Sequence, residues 1–229
     1  TVEDIGVNEK FEYLTFKESL LQKNGATESE LAEFRQIFSG IKPRDETLSE
    51  KLVDLSDHYH VNLQEWEKWG PQNDALTVLA ETFSPRNGVD FDLRGVIQLN
   101  SGTLDNGWSV NKHTKRSWPN EVKGIKVDNK SRNIHFLTSA TWMREKDGEK
   151  LASFIIHYND KTSEEFPVFA GSDVVDWVNK TGAFNKVGIE KIGWSGVGKK
   201  NWEAFLSELI WTNPHPEKLI TKIDFISNQ

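Results

Sequence analysis

Apolar and polar residues alternate with a period of two through much of the chain after residue 50. In VDFDLRGVIQLNSG, residues 89–102, Val89, Phe91, Leu93, Ile97 and Leu99 are apolar, and Asp90, Asp92, Arg94 and Gln98 are polar. Strict alternation predicts a β-strand over 89–99 with one polar face. It also sets Asp92 and Arg94 side by side on that face. KLVDLSDHYHV predicts a strand running out into a polar, aromatic segment, and VKGIKVD predicts a short strand. NIHFLTSATWM is nearly continuous in apolar and small residues, the pattern of a central strand covered on both faces. KLASFIIHYND follows a turn at Asp147-Gly148, and KTSEEFPVFAG follows one at Asn159-Asp160. These three segments predict an antiparallel meander. SDVVDWVN predicts a helical turn capped by Ser172 or Asp173. KIGWSG, FLSELIWTNP and LITKIDFIS supply later strands. In the last of these Leu219, Thr221, Ile223 and Phe225 alternate against Lys222 and Asp224.

The first part of the chain has a different period. Phe11, Leu14, Leu20 and Leu21 are roughly helix-spaced, and Asn24-Gly25 is a stop signal. TESE then offers a capping box, Thr27 with Glu30. Leu31, Phe34, Ile37 and Phe38 follow on one helical stripe, which Ser39-Gly40 and Pro43 end. A helical extension over residues 1–50 and a β domain over 51–229 are the expected division. About eight strands with long loops, and no β-α alternation, predict a mainly β fold of the antiparallel β-sandwich class.

Composition narrows the function classes. The chain has 229 residues, and its net charge of −7 leaves nucleic-acid binding no electrostatic footprint. Lys123, Lys126 and Lys130 form only a thin basic patch, read as a solvated strand face. No apolar run approaches the ~18 residues of a membrane span, and no signal peptide is visible. The chain begins at Thr1 and its one methionine is Met143, so an upstream segment is expected to have been removed. A signal peptide, a membrane anchor or a simple trimming would each account for this. The absence of cysteine excludes disulfides, thiolate metal sites and cysteine nucleophiles, and suits an extracytoplasmic location.

Nine tryptophans set the chain apart, because an indole is either a large core residue or a flat platform for a sugar ring. Trp69 with Asn73 and Asp74, Trp108 with Asn106, and Trp118 with Asn120 each pair an aromatic plane with short polar groups. Such a pair can stack on a sugar's apolar face and hold its hydroxyls. Asp173, Asp176 and Trp177 make a fourth cluster. The simpler reading of any one indole is that it plugs an end of the sandwich. Asp92 and Arg94 are read as a structural ion pair bracing a neighbouring strand, with Asp176 as a candidate partner, ahead of a role in gripping a ligand. His135 and His157 fall on adjacent predicted strands, but neither has a third ligand at metal spacing, so no metal is expected. His58 and His60 share a strand face, yet SDHYHVN reads as a strand end exposed to solvent. No G-x-S-x-G, H-E-x-x-H or phosphate-loop motif is present, no cofactor is implied, and the 35 acidic residues mark no facing catalytic pair.

The strand texts VDLSDHYHVNL, FDLRGVIQL, GIKVDNKSRNIHFLTSATW, FIIHYNDKTSEEFPVFAGSDVVDW and WTNPHPEKLITKIDFIS occur in this order. Together, over about residues 52–228, they resemble a bacterial β-sandwich domain of planctomycete and verrucomicrobial proteins. That domain is similar to the galactose-binding-like jelly-roll folds, which include many non-catalytic carbohydrate-binding modules. The resemblance implies an appendage on regulatory or surface proteins and carries over no catalytic residue. Two departures stand out. Trp177-Val178 replaces a double tryptophan, and the chain stops at Gln229 where relatives run on into another strand. Non-catalytic glycan binding through loop aromatics is therefore the leading expectation. A protein-interaction module using the N-terminal helices and an open sheet edge is the alternative, and a hydrolase is third.

Overall fold

Two antiparallel sheets pack face to face in the computed structural model. It describes residues 19–27, 30, 31, 34, 40–63, 79, 83, 88–100, 118–140, 147–179, 191–197 and 203–228. Ten strands occur among these residues: β1 (Val61–Asn62), β2 (Gly95–Val96), β3 (Glu121–Asn129), β4 (Asn133–Thr138), β5 (Lys150–Tyr158), β6 (Ser163–Phe169), β7 (Val178–Asn179), β8 (Ile192–Val197), β9 (Glu203–Thr212) and β10 (Ile220–Ser227). The first large sheet has the order β3-β10-β5-β6. In the second, β9 is central. One of its edges pairs with β7 at Glu203–Ala204 and with β4 at Ser207–Thr212; the other pairs with β8 from Glu203 to Ser207. The fold is mainly β and antiparallel, with few helical residues.

The alternation of each long strand decides what is buried between the sheets. Phe154, Ile156 and Tyr158 of β5, Ile220 and Ile223 of β10, Val122 and Ile125 of β3, and Leu209 and Trp211 of β9 share one core. Phe136 of β4 lies 4.0 Å from Phe154 of β5 in a stacked pair, and Phe154 stacks in turn on Phe225 at 4.6 Å. Offset aromatic stacking adds about 0.5–1.5 kcal/mol per pair to the burial of the rings. A second core lies on the other face of β9. There Ala204 and Leu206 meet Trp177, Trp194 and Trp118, together with Val61, Leu63 and Leu79. The short β1–β2 pair and its neighbours thus cover the outside of the second sheet.

Several sequence expectations are corrected. The segments at β4, β5 and β6 do not form one meander. β5 pairs with β6, but β4 pairs only with β9 in the opposite sheet. An apolar strand meets its neighbours by side-chain packing as well as by backbone ladder, and Phe136 reaches β5 by packing alone. β4 is accordingly an edge strand, and β9 takes the central place. The alternating stretch 89–99 pairs as a strand only at Gly95–Val96, because β1 offers it just two partner residues. KLVDLSDHYHV is likewise mostly turns, with strand only at its end. SDVVDWVN forms a tight turn and bridges rather than a helical turn. Gly171 has φ +79, and Val174 and Asp176 pair with Ala170 and Ala140. In β10 a bulge between Ile220 and Lys222 puts Ile220, not Leu219, in line with Ile223.

The N-terminal helical residues carry their own punctuation. Ala26 N–H donates to Leu21 O and Gly25 N–H to Gln22 O, both at 3.0 Å, with Gly25 at φ +81. This pair of bonds closes a helix end on a left-handed residue. Thr27 N–H then donates to Glu30 Oε2 at 2.7 Å, and Glu30 N–H to Thr27 Oγ1 at 3.3 Å, the reciprocal bonds of a capping box. Leu31 behind it is 1% exposed. No helix among the described residues is long and apolar enough to cross a membrane.

Candidate functional site

Asp92 and Arg94 stand side by side and are joined twice. Arg94 Nε donates to Asp92 Oδ1 and Arg94 Nη2 to Asp92 Oδ2, both at 2.7 Å. The two side chains are 5% and 9% exposed. Arg94 also donates to Asp54 Oδ1 at 2.9 Å, Ser56 Oγ at 2.8 Å and the Lys42 carbonyl at 3.0 Å. Arg44 completes the cluster, reaching Asp92 Oδ2 at 3.0 Å and the Leu52 carbonyl at 2.7 Å. Tyr59 donates to the Asp92 carbonyl at 2.9 Å and lies against the Arg94 guanidinium. Burial, reinforced by the Asp92 charge, pushes the Tyr59 hydroxyl well above the usual tyrosine range. The partners are therefore the 42–56 segment rather than Asp176. Four of these bonds tie residues 42–56 to Asp92 and Arg94, which makes the cluster a brace.

The tryptophans divide sharply. Trp118 and Trp177 are each 6% exposed and belong to the second core. With so little surface left, neither indole offers a face to a sugar. Trp194 and Trp211 are buried too. Trp69, Asn73, Asp74 and Trp108 lie outside the described residues. Asp173 takes the Phe169 N–H at 2.9 Å on Oδ2 and the Lys191 ammonium at 3.1 Å on Oδ1, so it closes its own turn. Asp176 is half-buried and bridges to Ala140.

The residues flanking 101–117, the segment that carries Asn106 and Trp108, are bonded to one another. Asn100 N–H donates to the Pro119 carbonyl at 2.9 Å, and Asn100 Nδ2 to Asn120 Oδ1 at 3.1 Å. Ser227 at the end of β10 ties both sides together. Its hydroxyl donates to the Asn100 carbonyl at 2.7 Å and its N–H to the Asn120 carbonyl at 2.8 Å. Leu99 and Trp118, next to these anchors, are buried in the two cores.

The histidines are not neighbours as their strands' order suggested. His135 lies on the outer face of the second sheet, with Nδ1 at 2.7 Å from Glu208, a residue 6% exposed. His157 lies on the outer face of the first sheet, with Nε2 at 2.8 Å from Asp224 Oδ2. Asp224 also takes the Gly124 N–H at 2.8 Å. Here Lys123 and Gly124 together oppose Asp224 in a β-bulge, with Gly124 at φ +78. Burial pushes the Asp224 carboxyl up, but the Gly124 N–H and the His157 ring outweigh it and hold it below the usual range. His60, expected at the surface, packs inward against Trp118 with its ring 5.7 Å away. The basic patch is neutralised locally: Lys123 pairs with Glu121 at 2.7 Å and Lys126 with Asp128 at 3.2 Å. Among the described residues no group of three His, Asp or Glu side chains is placed to hold a metal ion.

Arg44, Asp54, Tyr59 and Glu208 were not singled out in the sequence, and Asp224 was read only as a polar position of a strand. Their partners are 33 to 73 residues away, and nothing local distinguishes them from ordinary surface residues. No protein-family model, curated protein or solved structure matches the chain.

Proposed function

We propose that this protein is a non-catalytic binding module whose ligand is a glycan, recognised by aromatic and amide side chains on long loops of a jelly-roll-like sandwich. The observation that carries this reading is the stem at Asn100, Pro119, Asn120 and Ser227. It ties together the residues on either side of 101–117, next to Leu99 and Trp118 in the two cores. Long loops held on a rigid scaffold are where binding residues concentrate. The text of that segment, SGTLDNGWSVNKHTKRS, supplies an indole beside amide and hydroxyl groups. Trp69 with Asn73 and Asp74 is the second element of the reading. Glycan recognition in turn favours an extracytoplasmic location, at the cell envelope.

The test is glycan-array and polysaccharide pull-down binding by the wild type and by Trp108→Ala and Trp69→Ala. At least a tenfold loss with unchanged circular dichroism is expected for one of the two. Binding that neither change affects, or no binding to any glycan, defeats the reading. Trp118→Ala is unsuitable as a probe because that indole is core.

A second reading, a protein-interaction module of a regulatory or envelope assembly, is favoured by the edge of β4. NIHFLT pairs on one side only among the described residues, and carries no lysine, proline or bulge to blunt it. Protein capture that survives both tryptophan changes and is lost in Asn133→Lys, which charges that edge, selects this reading instead.

A further inference from the structure

We propose that His60 is an acid-operated latch: protonation of its ring releases the β1–β2 layer from the second core while the two-sheet sandwich stays folded. The geometry begins with the ring's role. His60 Nδ1 accepts the Gln98 N–H at 3.1 Å, and His60 N–H donates to the Val96 carbonyl at 2.9 Å. These two bonds extend a ladder that otherwise has only two residue pairs, Val61 with Val96 and Asn62 with Gly95. An imidazole accepts through Nδ1 only when neutral there; once protonated both ring nitrogens are donors. The Gln98 N–H then faces an N–H, and the bond becomes a repulsion.

Among the described residues no carboxylate faces the charged ring. It lies against Trp118, which packs with Val61, Leu63, Leu79, Trp177, Trp194 and Ala204. Among the described residues, Gln98 and Trp118, which touch it from two other segments, are neutral. On its own segment the one titratable group acting on it is His58, whose positive charge opposes a second one. His135 and His157 differ in kind. His135 faces Glu208 at 2.7 Å and His157 faces Asp224 at 2.8 Å, so each has a carboxylate partner within its own sheet. Among the described residues His60 has no such partner, and the bond that a proton on it breaks lies in the β1–β2 layer.

Burial supports the same sign and pushes the His60 ring down to about 4; the backbone of Gln98 pulls the other way, and His58 adds a smaller downward push. In an opened state the ring returns to about 6.5. The neutral ring favours the closed form, so this stability is complete above pH 6.5 and is lost as the pH falls toward 4. The opening equilibrium rises roughly 30-fold between pH 8 and pH 5 on those two values.

Hydrogen exchange of the full chain, corrected for the intrinsic pH dependence of amide exchange, tests this. At pH 5 the peptides covering residues 59–63 and 95–99 lose at least tenfold in protection relative to pH 8, while those covering β5 and β10 keep theirs. In His60→Asn, whose Oδ1 takes the place of Nδ1, still accepts the Gln98 N–H and does not titrate, the loss is absent. Equal loss in both regions, or the same pH dependence in His60→Asn, overturns the proposal. Should that variant not fold, NMR titration of the wild-type His60 ring decides. A midpoint below 5 supports the latch, and one of 5 or above sinks it.

Discussion

Asp92→Leu is the most direct test of the brace at residues 92–94. The change removes the acceptor of three guanidinium contacts, at 2.7, 2.7 and 3.0 Å. It leaves Arg94, 9% exposed, with Asp54 as its remaining counter-ion, and that carboxylate is half in solvent at 51%. Arg44 retains the Leu52 carbonyl and a distant Asp54 at 3.7 Å. Removing one member of a buried ion pair costs about 3–5 kcal/mol, chiefly because the other charge stays buried without a partner. Partial compensation by Asp54 places this case near the lower end, ~3 kcal/mol. With a urea m-value of about 3 kcal/mol per molar, the midpoint falls by about 1 M. The assay is urea unfolding at pH 7.5, followed by tryptophan fluorescence and far-ultraviolet circular dichroism. Arg94→Met in the Asp92→Leu background recovers part of the loss, since no buried charge then lacks its partner except Arg44. The double-mutant cycle is expected to return a coupling of at least ~1.5 kcal/mol. A single change within about 0.5 kcal/mol of wild type, the range of ordinary surface substitutions, refutes the brace. So does strict additivity in the cycle.

Other substitutions probe the packing. Ser207 is 1% exposed and its hydroxyl has no hydrogen-bond partner, so Ser207→Ala leaves stability unchanged or raises it by up to ~1 kcal/mol in the same urea assay. A Cβ at Gly124 meets nothing within 4 Å, so Gly124→Ala costs only its backbone strain at φ +78, about 1 kcal/mol. Gly171→Ala has the same strain at φ +79 and places its Cβ 2.6 Å from Asp147 Oδ1, so its melting temperature falls further than that of Gly124→Ala. Trp118→Ala opens the second core and costs about 3–5 kcal/mol. A loss below ~1 kcal/mol there marks the indole as a surface residue instead.

Period-two patterning is a property of each strand by itself, and it was legible. β3, β5, β6, β8, β9 and β10 fall on segments that the pattern marked, and the capping box at Thr27 and Glu30 forms at its marked place. Asp92 and Arg94 were adjacent by alternation alone, because residues two apart on extended backbone share a face. Their partners were not legible, since Arg44 and Asp54 arrive from 48 and 40 residues away along a segment without periodicity of its own.

Tertiary structure decided which strand pairs with which. NIHFLT has the same apolar text whether it lies in the middle of a sheet or, as here, at an edge with Phe136 stacked across the core. A side chain's hydrophobicity reports that it is buried, not which backbone lies beside it. The same limit governs the tryptophans and histidines. An indole next to an asparagine reads alike as platform or plug, and only the meeting of Trp118 and Trp177 with Val61 and Ala204 makes them core. His60 and His135 are the same residue type on similar strands. One meets a backbone N–H against an indole and the other a buried carboxylate, a difference in neighbours that only the packing sets.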